Sequence, residues 1–189
     1  MFCKTMNMPE HAKLVYKGIM YDIYQWEQEL FDGSKTTYEG LKRRDSTQVL
    51  VVDGDHLLLA YEKQPLYPLA YGLFGGHIDD NEEPLDCAKR ELLEETGMVC
   101  ESWKELMIYN PVGRIEWKIH LFIAKNPKKI QERKEDPGEY IEVHRVNFEE
   151  FMNIIADEHF RAHELLGHFL HVKSFEPKKV DNFKSLLFE

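Results

Sequence analysis

Apolar residues recur along this chain at two spacings, and each change of spacing marks an element. Residues 13–30 carry Leu14, Tyr16, Ile19, Tyr21, Ile23, Tyr24 and Trp26, an apolar and aromatic run that predicts strands. Asp32-Gly33-Ser34 makes a turn, and residues 35–44 return as a partner strand. Residues 47–52 and 56–62 predict two more strands joined at the hairpin pair Asp53-Gly54. Lys63-Gln64-Pro65 ends the second, because proline has no N–H to give to a ladder. Residues 66–70 are expected as a loop leading into a short strand, 71–74. The period then changes. Leu85, Ala88 and Leu92 fall on one side of a helix that Pro84 opens and Gly97 closes.

Further on, residues 100–112 predict a strand or two, with a break near Pro111-Val112-Gly113. Trp117, Ile119, Leu121 and Ile123 alternate within residues 115–124, which predicts one strand. Residues 126–138 are charged, contain Pro127, Pro137 and Gly138, and are expected as a long loop. Residues 140–146 predict a strand. Asn147-Phe148-Glu149-Glu150 matches a helix N-cap with a reciprocal glutamate, opening a helix toward Ala156. Residues 160–172 and 182–188 predict two more helices, and residues 1–12 a loosely held tail.

The helix between Pro84 and Gly97 concentrates its charge. Glu91 and Glu95 are i,i+4 neighbours and Glu91 and Glu94 are i,i+3, so these carboxylates share one side, away from the apolar stripe. Like charges at that spacing cost a helix roughly 0.2–0.5 kcal/mol per pair. Glu94 and Glu95 also sit at the end of the helix dipole that prefers cations. A bound hard cation would reverse both penalties, and Mg2+ takes carboxylate oxygens and commonly bridges to phosphates. Without a cation the same residues are a solvated acidic face.

Charge and cysteine usage narrow the partners. The formal net charge of −10 argues against a nucleic-acid duplex, which asks for a basic surface. A small anionic nucleotide stays open, because a divalent ion neutralises its site locally. Cys3, Cys87 and Cys100 show no metal spacing and cannot all pair, which points to a reducing compartment. No basic-then-apolar leader opens the chain and no apolar run is long enough to span a membrane, so a cytoplasmic protein with no membrane partner is expected.

Taken whole, the stretch from Gly75 to Met98 resembles the Nudix box. Gly76, Glu82, Arg90, Glu91, Leu92, Glu94, Glu95, Gly97 and Met98 stand in register with the family pattern, and no defining position is missing. The resemblance implies an α/β fold, the Nudix α/β/α sandwich with a mixed sheet, over residues 46–189, preceded by the tail and antiparallel β meander of residues 1–45. It implies a Nudix pyrophosphatase that opens the diphosphate of a nucleoside-diphosphate compound with Mg2+ or Mn2+. It gives Glu91, Glu94, Glu95 and the carbonyl of Gly75 to metal, with Glu94 also counted among the catalytic groups. Gly76 and Gly97 shape the backbone, and Arg90 orients Glu94 by an ion pair. Glu82 is left between a functional role, binding a further ion or capping the box helix, and a plain place at the favourable end of the helix dipole. The chemistry explains the residue types: a phosphoanhydride repels an incoming nucleophile until metal neutralises its oxygens, and glycine lets backbone approach the ligand.

Within the family, the N-terminal strands, the run Ile119-His120-Leu121-Phe122-Ile123-Ala124 and the acidic loop 136–142 resemble the ADP-ribose and nucleoside-diphosphate-sugar pyrophosphatases. That likeness implies a nucleotide sugar as substrate, with nucleoside monophosphate and sugar phosphate as products. It implies a general base from the loop, Glu139 first and Glu142 second. Arg44 and Arg114 are candidate phosphate contacts, with surface salt bridges as the plainer role; Trp26, Tyr71, Tyr109 and Trp117 either stack on a base or belong to the core. Residues 13–44 either pair with a second subunit, giving a homodimer, or pack on their own domain. The chain departs from that group at Leu66, where an arginine is frequent, and at Gly72-Leu73-Phe74-Gly75-Gly76, where Glu-Leu-Pro-Ala-Gly is frequent. Two rivals remain: a pyrophosphohydrolase of nucleoside triphosphates or cap-like dinucleotides, and a Nudix-fold module that binds nucleotide without cleaving it. The complete set of box glutamates weighs against the second.

Overall fold

The structure, a computed structural model, describes residues 7–113, 115–134, 138, 140–162 and 177–188. The apolar and aromatic N-terminal stretch folds into β1 (Lys13–Lys17), β2 (Asp22–Glu29) and β3 (Lys35–Lys42), an antiparallel meander whose β2–β3 turn holds Gly33 at φ of 82°. This sheet is not closed within the N-terminal segment. Its fourth strand is β8 (Ile115–Glu116), which lies parallel to β3 and pairs Leu41 with Ile115.

The larger sheet takes β4 (Ser46–Asp53), β5 (His56–Gln64), β6 (Tyr67–Gly72), β7 (Met98–Tyr109), β9 (Ile119–Lys129) and β10 (Tyr140–Val146). Its order is β10-β5-β4-β9-β7, with β6 added to β5. Strands β4 and β9 are parallel and the remaining pairs antiparallel, so the sheet is mixed. Successive strand residues point to opposite faces, so both faces need cover. Val49, Val51, Leu58, Ala60, Phe122 and Ala124 pack under Ala88 and Leu92 of α1 (Pro84–Thr96). Leu50, Val52, Leu57, Leu59, Leu121 and Ile123 pack under Phe151 of α2 (Phe148–Ile154) and Leu187 of α3 (Pro177–Phe188). The result is the expected α/β/α sandwich.

Several elements differ from the sequence pattern. The expected loop 66–70 is mostly strand: β6 folds straight back on β5, Gln64 opposite Tyr67, and Pro68 is tolerated on that outer strand. The single strand expected over 115–124 is divided at Trp117-Lys118, and its halves serve different sheets. Strand β9 then runs on through Pro127, beyond the reach of β4, where only β7 needs its hydrogen bonds. The helix expected over 160–172 lies largely outside the described residues, and 160–162 are not helical.

One irregularity creates the cleft. Strands β4 and β5 pair only where Val51, Val52 and Asp53 meet Leu58, Leu57 and His56. Beyond that they separate, and the chain leaving β6 fills the gap, with Phe74 bridged to Val49 and His77 to Ser46. Gly75 and Gly76 therefore enter between β4 and the β5–β6 hairpin.

Candidate active site

Helix α1 is short because its ends are set by chemistry. Pro84 supplies the first turn, and Gly97 takes φ of 72° while its N–H donates to the Leu93 carbonyl at 2.8 Å. Cys87, Ala88, Leu92 and Thr96 are buried, which turns Glu91 and Glu95 toward the glycine segment. The fit there is close. The Gly75 N–H donates to Glu95 Oε2 at 3.0 Å. A Cβ on Gly75 would stand 2.1 Å from the Thr47 carbonyl oxygen, and one on Gly76 would stand 2.3 Å from Glu91 Oε1. Side chains at these positions would displace either the sheet or the carboxylate.

Arg90 gathers the remaining acids. Its Nε and Nη2 donate to Glu82 at 2.8 and 2.9 Å, and its Nη1 donates to Glu91 at 2.8 Å and to Glu94 at 3.2 Å. This guanidinium holds Glu82 at a pKa of about 2 and is itself held protonated. Glu82 also accepts the Asp79 N–H at 3.0 Å. It caps nothing at the helix start, where Glu83 is the N-cap residue and makes no side-chain cap bond. Glu91 moves the other way: burial raises its pKa despite Arg90.

Among the described residues, no three His, Cys, Asp or Glu side chains converge as a ready-made metal set. The reason is visible in the contacts: Arg90 draws Glu91 and Glu94 to one side, while the Gly75 N–H holds Glu95. The donors nevertheless suit a hard divalent ion. They are all oxygen, and Glu91 is a desolvated carboxylate that gains from a nearby cation.

These groups open onto a cleft of about 760 Å³. On its β9 side, the Arg43 guanidinium lies over Trp117 with 4.0 Å from Cζ to the ring centroid. Trp117 in turn donates from Nε1 to Ser46 Oγ at 3.1 Å, so it is not plain core. Among the described residues, the buried Arg43 Nε has no hydrogen-bond partner. Arg43 also contacts His77, whose pKa is lowered by burial and by Arg43 and Arg44. Arg44 reaches the cleft too, paired with Asp79 at 3.1 Å and Asp80 at 3.8 Å. On the β5 side stand Glu62, Gln64 and Arg161.

The candidates from sequence thus separate. Glu91, Glu95, Gly75, Gly76, Arg90 and Arg44 line one cleft; Glu82 and Glu94 join them through Arg90. Glu142 does not come to it. Ile141 and Val143 pack in the cluster beneath α1, so Glu142 between them faces the other side of the sheet and bonds to Tyr140 and His144. Glu139 and Arg114 lie outside the described residues. Of the aromatic candidates, Tyr71 bonds to His144 at 2.9 Å, also away from the cleft, and Trp26 is buried in the smaller sheet. Arg43, Glu62 and Arg161 were not legible beforehand. Arg43 had only its neighbour Arg44 as a signal, and Glu62 and Arg161 had none.

Comparison with known proteins agrees with this geometry. The profile of the NUDIX domain matches residues 42–169. The chain belongs to the Nudix family. The Nudix fold and the class of enzyme, a pyrophosphatase, follow, and Nudix hydrolases generally use divalent metal ions. Among relatives, an ADP-ribose pyrophosphatase of Bacillus subtilis (strain 168) is 27% identical over 145 residues, covering 75% of this chain and 78% of that one. A methanol dehydrogenase activator of Bacillus methanolicus is 24% identical over 148 residues, covering 76% and 80%. A crystal structure of an ADP compounds hydrolase superposes with a TM-score of 0.69 at 19% identity, covering 93% of this chain and 98% of that one, which is a likeness of fold. Among the described residues, no helix of this Nudix protein is long and apolar enough to cross a membrane.

Proposed function

We propose that this Nudix protein hydrolyses the diphosphate of a nucleotide sugar, ADP-ribose first among them, to a nucleoside monophosphate and a sugar phosphate. The observation that carries the reading is the seating of Glu91 and Glu95 on Gly75 and Gly76 inside a cleft that Arg43 and Arg44 also enter. Carboxylates and cations meet there at one glycine turn, as an anionic diphosphate with divalent metal requires. The identity of the Bacillus subtilis relative favours ADP-ribose as the first substrate to try.

Glu91, Glu94, Glu95 and the Gly75 carbonyl would hold Mg2+ or Mn2+, which when bound neutralises phosphate oxygens and lowers the pKa of water. The chain's own groups do the rest. Arg90 keeps the box carboxylates turned to one side. Arg44 offers a guanidinium to phosphate oxygens at the cleft mouth. Arg43, its guanidinium over the Trp117 ring at the cleft, holds an anionic or ring acceptor of the nucleoside half. Glu139 takes the proton of the attacking water. Glu139→Gln should lower kcat at least tenfold with fold and metal affinity kept; unchanged kcat removes it from the mechanism. Arg114 is kept as a second phosphate contact.

The smaller sheet supports a homodimer. Leu14 and Tyr38, 47% and 46% exposed, stand on the same face of this sheet by register, an apolar strand surface that a second copy would cover. Sedimentation showing only monomer at micromolar concentration would remove the dimer. For the reaction, incubation with ADP-ribose and Mg2+ should release AMP and ribose 5-phosphate. Release of pyrophosphate from nucleoside triphosphates, with nucleotide sugars untouched, would overturn the assignment.

A further inference from the structure

The β5 wall of the cleft carries an ion pair that the proposed chemistry leaves unused. Glu62, near the end of β5, and Arg161, in the segment after α2, stand 3.5 Å apart from Oε1 to Nε, with side chains only 12% and 17% exposed. Both line the cleft. Arg161 is tightly fastened. Its Nη2 donates to the Pro68 carbonyl at 3.1 Å and to the Glu62 carbonyl at 3.4 Å, its backbone N–H donates to the Tyr71 carbonyl at 2.9 Å, and its guanidinium lies 5.2 Å from the Tyr67 ring centroid. Gly72 makes room for the carboxylate: a Cβ there would stand 2.7 Å from Glu62 Oε1 and 3.6 Å from Arg161 Cβ.

Stability is a weak reason for such a pair, because desolvation offsets most of the attraction between buried charges. The place of the pair in the cleft supplies a better one. The glycine segment lies between β4 and the β5–β6 hairpin, and β9 lies on the far side of β4. The two walls therefore stand on opposite sides of the box carboxylates, and their chemistry differs. Trp117 with Arg43 offers an aromatic face and a cation, which suits a flat base and its phosphate. Glu62 with Gln64 offers carboxylate oxygens and an amide, which suit hydroxyl groups. Arg161 faces Oε1, and Gln64 Nε2 donates to Oε2 at 3.4 Å, but each carboxylate oxygen accepts more than one bond, so O–H donors from neighbouring carbons of a sugar can join or replace these partners, and such charge-assisted bonds are strong.

We propose that Glu62 selects the sugar half of the substrate by accepting hydrogen bonds from its hydroxyls, and that Arg161 is the positioning residue that aims it. The inference rests on the reading of the protein as a nucleotide-sugar pyrophosphatase and adds to it which wall receives which half.

The test separates the halves. Calorimetric titration with ribose 5-phosphate and with AMP probes each wall alone, and kinetics compare ADP-ribose with the β-methyl ester of ADP, which keeps base and diphosphate but lacks the sugar. Glu62→Gln should weaken ribose 5-phosphate and raise KM for ADP-ribose on the order of tenfold, the effect of losing one charged hydrogen bond. AMP affinity and KM for the methyl ester should not move. Gly72→Ala leaves every charge in place but pushes the Glu62 carboxylate aside, and should give the same pattern. Arg161→Ala should follow it, with partial rescue by Arg161→Lys; if Arg161→Ala does not fold, the Glu62 and Gly72 variants decide. Equal losses for both halves, or none for ribose 5-phosphate, would overturn the assignment of Glu62 alone. Failure of the wild-type protein to hydrolyse any nucleotide sugar would overturn the underlying reading and this inference with it.

Discussion

The floor of the cleft comes from one contiguous stretch, Gly75 to Met98, whereas its walls come from Arg43 and Arg44, Glu62 and Gln64, Trp117 and Arg161, which the fold collects from both sheets and a late loop. On the floor, each side chain is placed by its neighbours in sequence: helical spacing stacks Glu91, Glu94 and Glu95, one arginine ties Glu91 and Glu94 to Glu82, and the Gly75 N–H holds Glu95. On the walls, each side chain is placed by a strand register or by hydrogen bonds to distant segments of the chain. Arg161, for example, is held by the carbonyls of Glu62, Pro68 and Tyr71. The difference separates two tasks. The floor carries what every diphosphate needs, and the walls carry what distinguishes one diphosphate compound from another. Changes on the floor should therefore act on turnover for every substrate, and changes on the walls should act on one half of one substrate.

The sharpest way to break this division is on the floor. Glu94→Gln together with Glu95→Gln should lower kcat by about a thousandfold, the loss of several kcal/mol of charge stabilisation, and should do so for all substrates alike. Far-UV circular dichroism should not change, because the α1 core residues Ala88 and Leu92 are untouched. Substrate-selective loss would show that these glutamates belong to recognition. A smaller floor effect is expected from Gly76→Ala. Its Cβ would meet the Glu91 carboxylate at 2.3 Å, so the carboxylate must swing away and kcat should fall on the order of a hundredfold. Equal activity would mean that the Glu91 position is not required.

The walls should respond differently. Trp117→Ala removes the surface under Arg43 and the Nε1 bond to Ser46. The expected result is a KM for ADP-ribose about tenfold higher, from a lost stacking and cation–π contact of roughly 1–2 kcal/mol, with weaker AMP binding and unchanged ribose 5-phosphate binding. Calorimetry with the two products checks it. Loss of ribose 5-phosphate binding instead would reverse the two walls.

The same division explains what was legible in the sequence. The box was readable because helical periodicity alone brings its carboxylates together, and because proline and glycine mark its ends. Strands β2 through β5 were readable for a similar reason, since Gly33 and Asp53-Gly54 fix local turns. Strand β6 was hidden by Pro65 and Pro68, which suggest a loop until an unpaired edge of β5 is available to accept the returning chain. The division at Trp117-Lys118 was hidden too, because alternation does not tell which sheet a strand joins. Glu142 was placed with the site by the likeness of its acidic loop to that of the ADP-ribose pyrophosphatases, but a strand side chain faces the side its register gives it, and Ile141 and Val143 claimed the side toward α1. The pair Glu62–Arg161 is a contact between distant segments, on which local spacing has no bearing.

The finest comparison lies within the floor, between two glutamates that share one arginine. Arg90 depresses Glu82 from 4.5 to about 2, whereas burial raises Glu91 above 4.5. The signs for stability are therefore opposite. Glu82 contributes stability at neutral pH that is lost as pH falls from 4.5 through about 2, because the unfolded chain takes up its proton first. Glu91 lowers stability above its folded pKa and stops doing so once the pH falls below 4.5, where it is protonated folded or unfolded. In chelator at pH 7, Glu82→Gln should melt lower than wild type and Glu91→Gln higher. The first difference should shrink between pH 4.5 and 2, and the second should already be gone by pH 4.5. Added Mg2+ should raise the melting temperature of wild type and of Glu82→Gln, since a bound cation compensates the buried Glu91 charge, and should raise that of Glu91→Gln much less. Thermal melts across that pH range, with and without Mg2+, measure all of this. A Glu91→Gln protein that melts lower in chelator would mean that the ion pair with Arg90 outweighs burial, and that the floor is complete without metal.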